Sequence, residues 1–349
     1  MTRVAVLILH APAGPGDGPL ASAFAAVRRA NAERQAIGFR AAGADQVTID
    51  DDALGAGGFA GRLRAVAADL RDDGGLIVLG SGSSPLATAA DRSTFVAVAR
   101  GPAGHAVVNN RYSADIVAVG GAAAALAGLP DLASDNGLPR WLAESAGVVV
   151  DDLRRRWRLQ VDLDSPLDAV LISARPADVP DSATVRSALA RVGAVSREPR
   201  AELIVAGRAS ASGLAWLERT MASRTRALIE ERGFRTRVTG QRPVASTLGL
   251  LLACEGPAAL GRILAGLGEA ALVDSRVLLA QQFGSDETAW PAAEDRFASD
   301  LLIADRIADP WLRALTIAAR DAPIPIVLGG HSLVGPGLRL ALRAGRRWT

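Results

Sequence analysis

An α/β protein with a three-layer, doubly wound and mostly parallel sheet is the fold the sequence predicts, and three observations predict it. Uninterrupted apolar runs of strand length recur at residues 3–9, 75–80, 202–207 and 324–329. Such runs become strands buried on both faces of a parallel sheet. Helical patterns alternate with them, the order of elements that builds α/β layers. Several runs also open into loops of small residues, and in a doubly wound sheet the loops at the carboxyl ends of the strands line the ligand crevice. The 349 residues exceed a usual domain of ~100–200 residues, so two domains are expected. We place the first at 1–172, a proline-bearing linker at 173–181, and a second domain, α/β or mainly helical, at 182–349.

Element by element, residues 3–9 predict the first strand. The loop after it carries Gly14, Gly16 and Gly18, and residues 22–38 read as a helix. Strand, glycine-rich loop and helix are the parts of a phosphate-cradling turn, in which backbone N–H groups and a helix N-terminus face an anion; ordinary turns use the same residues. Strand 46–49 is followed by Asp50, Asp51 and Asp52, which read as a solvated loop, and by a helix over 58–72. Strand 75–80 leads into Ser81-Gly82-Ser83-Ser84-Pro85. Strands at 106–110 and 114–119 flank a short turn, where Asn110, Arg111 and Tyr112 are candidate substrate contacts or a plain polar hairpin. Asp135-Asn136-Gly137 precedes an apolar helix pattern of Leu138, Trp141 and Leu142. Arg154, Arg155, Arg156 and Arg158 form the densest charge run of this half, suited to phosphate or to a water-facing rim.

At residues 161–164, Val161 and Leu163 alternate with Asp162 and Asp164, the period of a half-buried strand, which would bring both carboxylates out on one face. Ser165, Pro166 and Asp168 then mark a helix start. Two acids at a strand end suit Mg²⁺ or Mn²⁺, which are usually held by one or two carboxylates plus substrate phosphates; the solvated face of an ordinary strand accounts for the same residues. In the second half, strand 202–207 is followed by Arg208 and Ser210, a candidate anion contact or a closely packed turn, and by a long helix to about Arg232. Residues 248–280 show helical spacing, read as core or subunit interface. The last strand ends in Gly329-Gly330-His331-Ser332, and no Gly-x-Ser-x-Gly elbow supports a hydrolase there.

Composition excludes several chemistries. All 39 basic residues are arginine, so Schiff-base, pyridoxal phosphate and P-loop lysine mechanisms are absent. The net charge of +2 does not point to nucleic acid, although the pI is 9.4. A single cysteine, Cys254, excludes an internal disulfide and a thiolate zinc cluster, which suits a reducing cytoplasm. No apolar run has the length of a membrane span.

Two stretches carry a resemblance. Residues 134–142, Ser-Asp-Asn-Gly-Leu-Pro-Arg-Trp-Leu, and 162–168, Asp-Leu-Asp-Ser-Pro-Leu-Asp, resemble two motifs of the nucleotidyltransferases that include the molybdenum-cofactor cytidylyl- and guanylyltransferases and the 2-phospholactate guanylyltransferases. Those motifs are Gly-Asp-x-Gly-x-Arg-x-Leu-Leu and Asp-x-Asp-Thr-Pro-x-Asp. The resemblance covers about the first half of the chain. It implies a nucleotide-diphospho-sugar transferase-like sheet, a nucleoside triphosphate as substrate, and Mg²⁺ or Mn²⁺ held by Asp162 and Asp164. It further implies a nucleotide approached by Gly14 and Gly16, and an acceptor or base positioned by Asp135 and Asn136. Three departures accompany it: residues 11–26 contain no basic side chain, Asp17 stands in the loop, and Ser83 stands where the family has a metal-holding aspartate.

These readings leave three functions open. The first is transfer of a nucleoside monophosphate to a small phosphorylated acceptor, with Asp162, Asp164 and Ser83 as catalytic residues and Arg111 at the nucleotide. The second is a glycosyltransferase using a nucleotide sugar. The third is a non-catalytic nucleotide- or ligand-binding protein on the same fold. The expected partners are small molecules, without nucleic acid or membrane, and a homodimer is the expected assembly if the chain self-associates.

Overall fold

The computed structural model describes residues 2–52, 58–70, 73–132, 135–173, 179–231 and 242–344. By Cα proximity the chain divides into two compact units: Met1–Pro15 with Ala25–Leu163, and Gly16–Phe24 with Asp164–Thr349. Composition had placed the change near residue 172; proximity puts it at Leu163 and gives the second unit a short early segment. Residues 174–178 of the expected linker lie outside the described residues.

The first unit is α/β, built on a mixed six-stranded sheet. Its strands are β1 (Val4–Leu9), β2 (Gln46–Asp50), β3 (Gly75–Gly80), β4 (His105–Val108), β5 (Ile116–Val119) and β6 (Val149–Asp152), in the order β2-β1-β3-β5-β4-β6. β1 pairs in parallel with β2 and β3, while β5 runs antiparallel to both β3 and β4. The alternation of strand side chains explains why two helical layers form. Val4, Val6 and Ile8 of β1 pack with Ala32, Ala36 and Phe39 of α1 (Pro19–Ala41). Ala5 and Leu7 point the other way, into a cluster with Ala60, Leu63 and Ala67 of α2 (Gly58–Ala68). Helix α3 (Ala89–Arg100) joins the first face through Phe95, Val96 and Ala99. Helices α4 (Ala122–Leu126) and α5 (Leu138–Glu144) join the second, through Leu126, Leu138 and Leu142. Each fully buried Leu, Ile or Phe contributes about 1.5–3 kcal/mol.

Residues 161–164 are not a strand, contrary to the expectation from their alternation. Burial does alternate, with Val161 and Leu163 buried, Asp162 half-buried and Asp164 exposed, but no ladder forms. The Leu163 N–H is shared between the Gly82 carbonyl, at 3.1 Å, and the Asp162 carboxylate, at 2.9 Å. A side chain that takes the next backbone N–H competes with sheet pairing, and Pro166, which opens α6 (Pro166–Ile172), stops the strand geometry two residues later.

The second unit is also α/β, with a four-stranded sheet of order β10-β9-β7-β8, parallel throughout. Its strands are β7 (Glu202–Gly207), β8 (Arg224–Ile229), β9 (Ala270–Asp274) and β10 (Ile326–Gly329). The helices in chain order are α7 (Ala183–Val195), α8 (Ala211–Thr220), α9 (Thr247–Glu255), α10 (Leu260–Ala265), α11 (Ser275–Phe283), α12 (Ala293–Asp300), α13 (Pro310–Arg320), α14 (His331–Val334) and α15 (Leu338–Ala344). Two expectations are corrected here. The long helix expected to Arg232 ends at Thr220 and gives way to β8, and the helical stretch 248–280 contains β9. The chain enters β8 to one side of β7 and β9 to the other, so the strand order reverses between β7 and β9. Among the described residues no single helix is long and apolar enough to cross a membrane; only α9 with residues 257–265, bent by 116°, reach that composition together.

Candidate functional site

At the carboxyl ends of β1 and β3 the first unit holds a cavity of about 200 Å³, whose lining includes Leu9, Ala11, Arg28, Phe59, Gly80 and Asp115. This is where an α/β sheet places its ligands. Its floor is the loop after β3, which α1 fixes through two amide side chains. Asn31 Nδ2 donates to the carbonyls of Ser81, at 2.8 Å, and Ser83, at 3.2 Å. Gln35 Nε2 donates to those of Ser83 and Ser84, and its Oε1 accepts from Arg92 Nε at 2.9 Å. A second wall is the turn between β4 and β5. There Asn109 Nδ2 donates to Asp115 Oδ2 at 2.8 Å and to the Leu159 carbonyl at 3.0 Å, while Asn109 Oδ1 accepts from the Asp115 N–H. A larger groove of about 350 Å³ lies before the amino ends of β1 and β3, around Thr2, Asp73 and Arg100. Arg100 there already donates to Gly43 and Asp45, so that groove offers little for ligand chemistry.

The positive charge in the cavity comes from Arg28, and Asp115 stands in the same lining. The Nε of Arg28 is buried and has no hydrogen-bond partner among the described residues, whereas most buried donors in folded proteins are satisfied. His10, which follows β1, is buried and places Nδ1 3.0 Å from Ser81 Oγ. Burial, reinforced by the positive charge of Arg28, holds the His10 imidazole below its ordinary pKa of 6.5, so it is neutral at pH 7.

The residues expected at the site fall in several places. Asp162 lies against the loop after β3: a Cβ on Gly82 would stand 3.1 Å from Asp162 Oδ1 and 2.8 Å from the Leu163 carbonyl, and only glycine leaves that room. Asp164 is exposed and belongs to the second unit, where its N–H donates to Asp168 at 3.0 Å. Asp168 also accepts the Ser165 N–H at 2.8 Å and its hydroxyl at 3.2 Å, so the start of α6 is tied by the aspartate. Ser83 is buried, and its Oγ accepts the Gly80 N–H at 3.0 Å, which closes the turn and gives the hydroxyl a structural task. Arg111 is half-buried, with its N–H 3.4 Å from Asp152 Oδ2; the neighbouring Tyr112 ring is covered by Arg154 at 5.6 Å. Asn136 is exposed, and the side chain of Asp135 lies outside the described residues.

The glycine-rich loop does not lead to an open phosphate cradle. Gly14 and Gly16 are exposed, and the first N–H groups of α1 are taken within the second unit. Leu20 and Ala21 donate to the two carboxylate oxygens of Glu294, on α12, at 3.0 and 2.9 Å. A carboxylate there satisfies the same donors and the same helix dipole that a phosphate would. Within that segment Phe24 also meets Phe297 edge to face, with ring centroids 5.2 Å apart. The expected anion contact at Arg208 is likewise occupied: its guanidinium forks onto Asp274 at 2.6 and 3.0 Å, both side chains being buried.

The donors fit a resident cation poorly. Among the described residues no three His, Cys, Asp or Glu side chains converge to hold a metal ion. In the first unit one Asp162 oxygen accepts a backbone N–H, Asp115 is bonded to Asn109, and Ser83 supplies no charge. Any Mg²⁺ here would depend on substrate phosphates for most of its ligands.

Arg28 was missed as a site residue, although it left a trace. Arg28, Asn31 and Gln35 fall at i, i+3 and i+7, a polar stripe on a helix whose Ala32, Ala36 and Phe39 are buried. In comparisons with known proteins, no family model, curated protein or solved structure matches this chain.

Proposed function

We propose that the first unit binds a nucleoside phosphate in the cavity at the carboxyl ends of β1 and β3, as a nucleotidyltransferase-like domain that uses Arg28 rather than a resident cation as its anion contact. The observation that carries this reading is the buried Nε of Arg28, a charged donor with no protein acceptor in a cavity large enough for a ligand group. An arginine presents several donors in a fixed plane and pairs well with phosphate oxygens. The resemblance of residues 134–142 and 162–168 and the mixed sheet with its single antiparallel strand support the nucleotide-diphospho-sugar transferase-like form of the fold.

One observation favours the stronger reading, in which the protein transfers a nucleoside monophosphate to a small phosphorylated acceptor. Asp162 reaches the loop after β3, the position from which a carboxylate could share a cation brought in with the triphosphate. The catalytic work would then be alignment and charge stabilisation by the site.

Calorimetry with GTP, CTP and ATP, each with Mg²⁺ and with chelator, tests both readings. Binding that persists in chelator and is lost in Arg28→Ala supports the binding role. Release of pyrophosphate in the presence of a phosphorylated acceptor, lost in Asp162→Asn, would establish the transferase. No binding of any of the three nucleotides would contradict the proposal.

A further inference from the structure

A second pair of basic groups stands where α1 meets α3. Arg34 of α1 and Arg92 of α3 are not in the lining of the cavity at the carboxyl ends of β1 and β3. Both are held by uncharged partners. Arg34 Nη2 donates to Asn31 Oδ1 at 2.6 Å and to the Pro85 carbonyl at 3.2 Å. Arg92, only 9 % exposed, donates from Nε to Gln35 Oε1 at 2.9 Å.

The sequence of α1 makes room for the second of these. Gly38 follows Arg34 by four residues, one turn along the same face of the helix. A Cβ at Gly38 would stand 2.5 Å from Arg92 Nε and 2.7 Å from its Cδ and Cζ, so the missing side chain is a notch that receives the guanidinium. Arg92 is thereby laid against the turn of α1 next to Arg34.

The acids nearest in the chain are turned elsewhere. Glu33, beside Arg34, pairs with Arg29 at 3.1 Å. Asp91, beside Arg92, caps its own helix with Thr88 and pairs with Arg156 at 3.0 Å. Among the described residues neither Arg34 nor Arg92 has a salt-bridge partner, and the two terminal amino groups of Arg92 make no hydrogen bond, although they are not sealed from solvent. Burial holds both guanidiniums below their ordinary pKa, and the charge of Arg34 adds to the effect on Arg92. Both stay charged at pH 7, so two like charges are held together without a counter-ion from the protein.

We propose that Arg34 and Arg92 form a phosphate-binding site on the first unit, separate from the cavity of Arg28. A tetrahedral oxyanion has enough oxygens to bridge two guanidiniums and relieves their mutual repulsion, and arginine forks suit its geometry. The neutral side chains around the pair, Asn31 and Gln35, hold the forks in place without competing for them as a carboxylate would.

The test uses the full chain carrying Arg28→Ala, so that phosphate entering the cavity does not contribute, with inorganic phosphate as probe. Calorimetry at constant ionic strength, chloride being the balancing anion, should show saturable binding of one phosphate per chain. Arg34→Gln and Arg92→Gln, each added to this background, should weaken binding about tenfold or more, the worth of one charge-assisted hydrogen bond. Gly38→Ala is the sharper variant: it keeps every charge, pushes the Arg92 side chain out of its notch, and favours the helix it sits in. A diffuse positive surface would bind phosphate equally well in Gly38→Ala, whereas a built pair loses affinity as in Arg92→Gln. Should Arg92→Gln fail to fold, Arg34→Gln, at an exposed position, and Gly38→Ala carry the test. Glycerol 3-phosphate titrated in the same way separates two sources of the phosphate group: tighter binding than inorganic phosphate marks an ester as the occupant, weaker binding the free ion. No saturable binding of either, or affinity unchanged in Arg34→Gln and Gly38→Ala, overturns the site.

Discussion

At the scale of single residues, what decides this molecule is which polar groups are already satisfied. Ser83 and Arg208 both look like site residues in the sequence, and each is already committed within the fold: Ser83 to the Gly80 N–H, and Arg208 to Asp274. Arg28 drew no notice in the sequence, yet its Nε is a buried cationic donor with no hydrogen-bond partner among the described residues. The partner of Arg208 lies 66 residues away in the sequence, and spacing does not show that the Ser83 hydroxyl turns back onto its own loop, so neither case could be separated from a site residue by spacing alone. Gly82 gives a sharp prediction at this scale. Alanine there would bring a methyl group to 2.8 Å from the Leu163 carbonyl, displacing the segment that carries Asp162. We expect Gly82→Ala to cost about 1–3 kcal/mol, measured by urea denaturation, and to disturb the cavity floor.

Among the elements, strands buried on both faces were the most legible, because residues 4–9, 75–80, 202–207 and 326–329 are nearly unbroken apolar runs. The strands that escaped were of two kinds. β8 reads Arg-Thr-Arg-Ala-Leu-Ile at the sheet edge, largely exposed, so its apolar content is too low to separate it from the preceding helix. β9 reads Ala-Ala-Leu-Val-Asp and merges with the leucine- and alanine-rich helices on both sides. Segment 161–164 failed in the opposite sense: its alternation was real, but a side chain and a proline prevented pairing. The carboxyl end of β9 carries the prediction at this scale. Gly207, with φ of +119° and a would-be Cβ 2.3 Å from that of Asp274, lets β7 and β9 close around the Arg208 pair. Arg276 follows Asp274 and forks onto Asp300 of α12 at 2.6 Å on both arms, all of it buried. Arg276→Met would leave the Asp300 carboxylate buried without its partner and should cost about 3–5 kcal/mol, whereas Arg276→Met with Asp300→Leu should recover most of that loss. Denaturation of the single and double variants checks it.

For the whole molecule, the α/β class followed from the alternation of apolar runs with helical patterns. The unit boundary did not, because a unit is defined by which distant segments pack together, and residues 16–24 pack with a part of the chain more than a hundred residues later. Stability should also carry a pH signature from Asp168. Burial, with the nearby charges of Asp164 and Asp300, pushes its carboxyl up to about 8. The folded state therefore keeps a proton there that the unfolded state releases near pH 4, so this contribution is fully present below about pH 4 and declines as pH rises towards 8. The loss is at most a little over ~1 kcal/mol per pH unit, and Asp168→Asn should flatten the dependence of thermal stability on pH in that window.

Whether Arg28 receives a phosphate at the carboxyl ends of β1 and β3 without a resident cation is decided by a crystal soaked with GTP and Mn²⁺ and a second crystal soaked with Mn²⁺ alone. Phosphate density is expected within hydrogen-bond distance of Arg28 in the first crystal, and no anomalous manganese peak at Asp162 in the second. Nucleotide bound elsewhere, or manganese held at Asp162 in the absence of nucleotide, would contradict that role of Arg28.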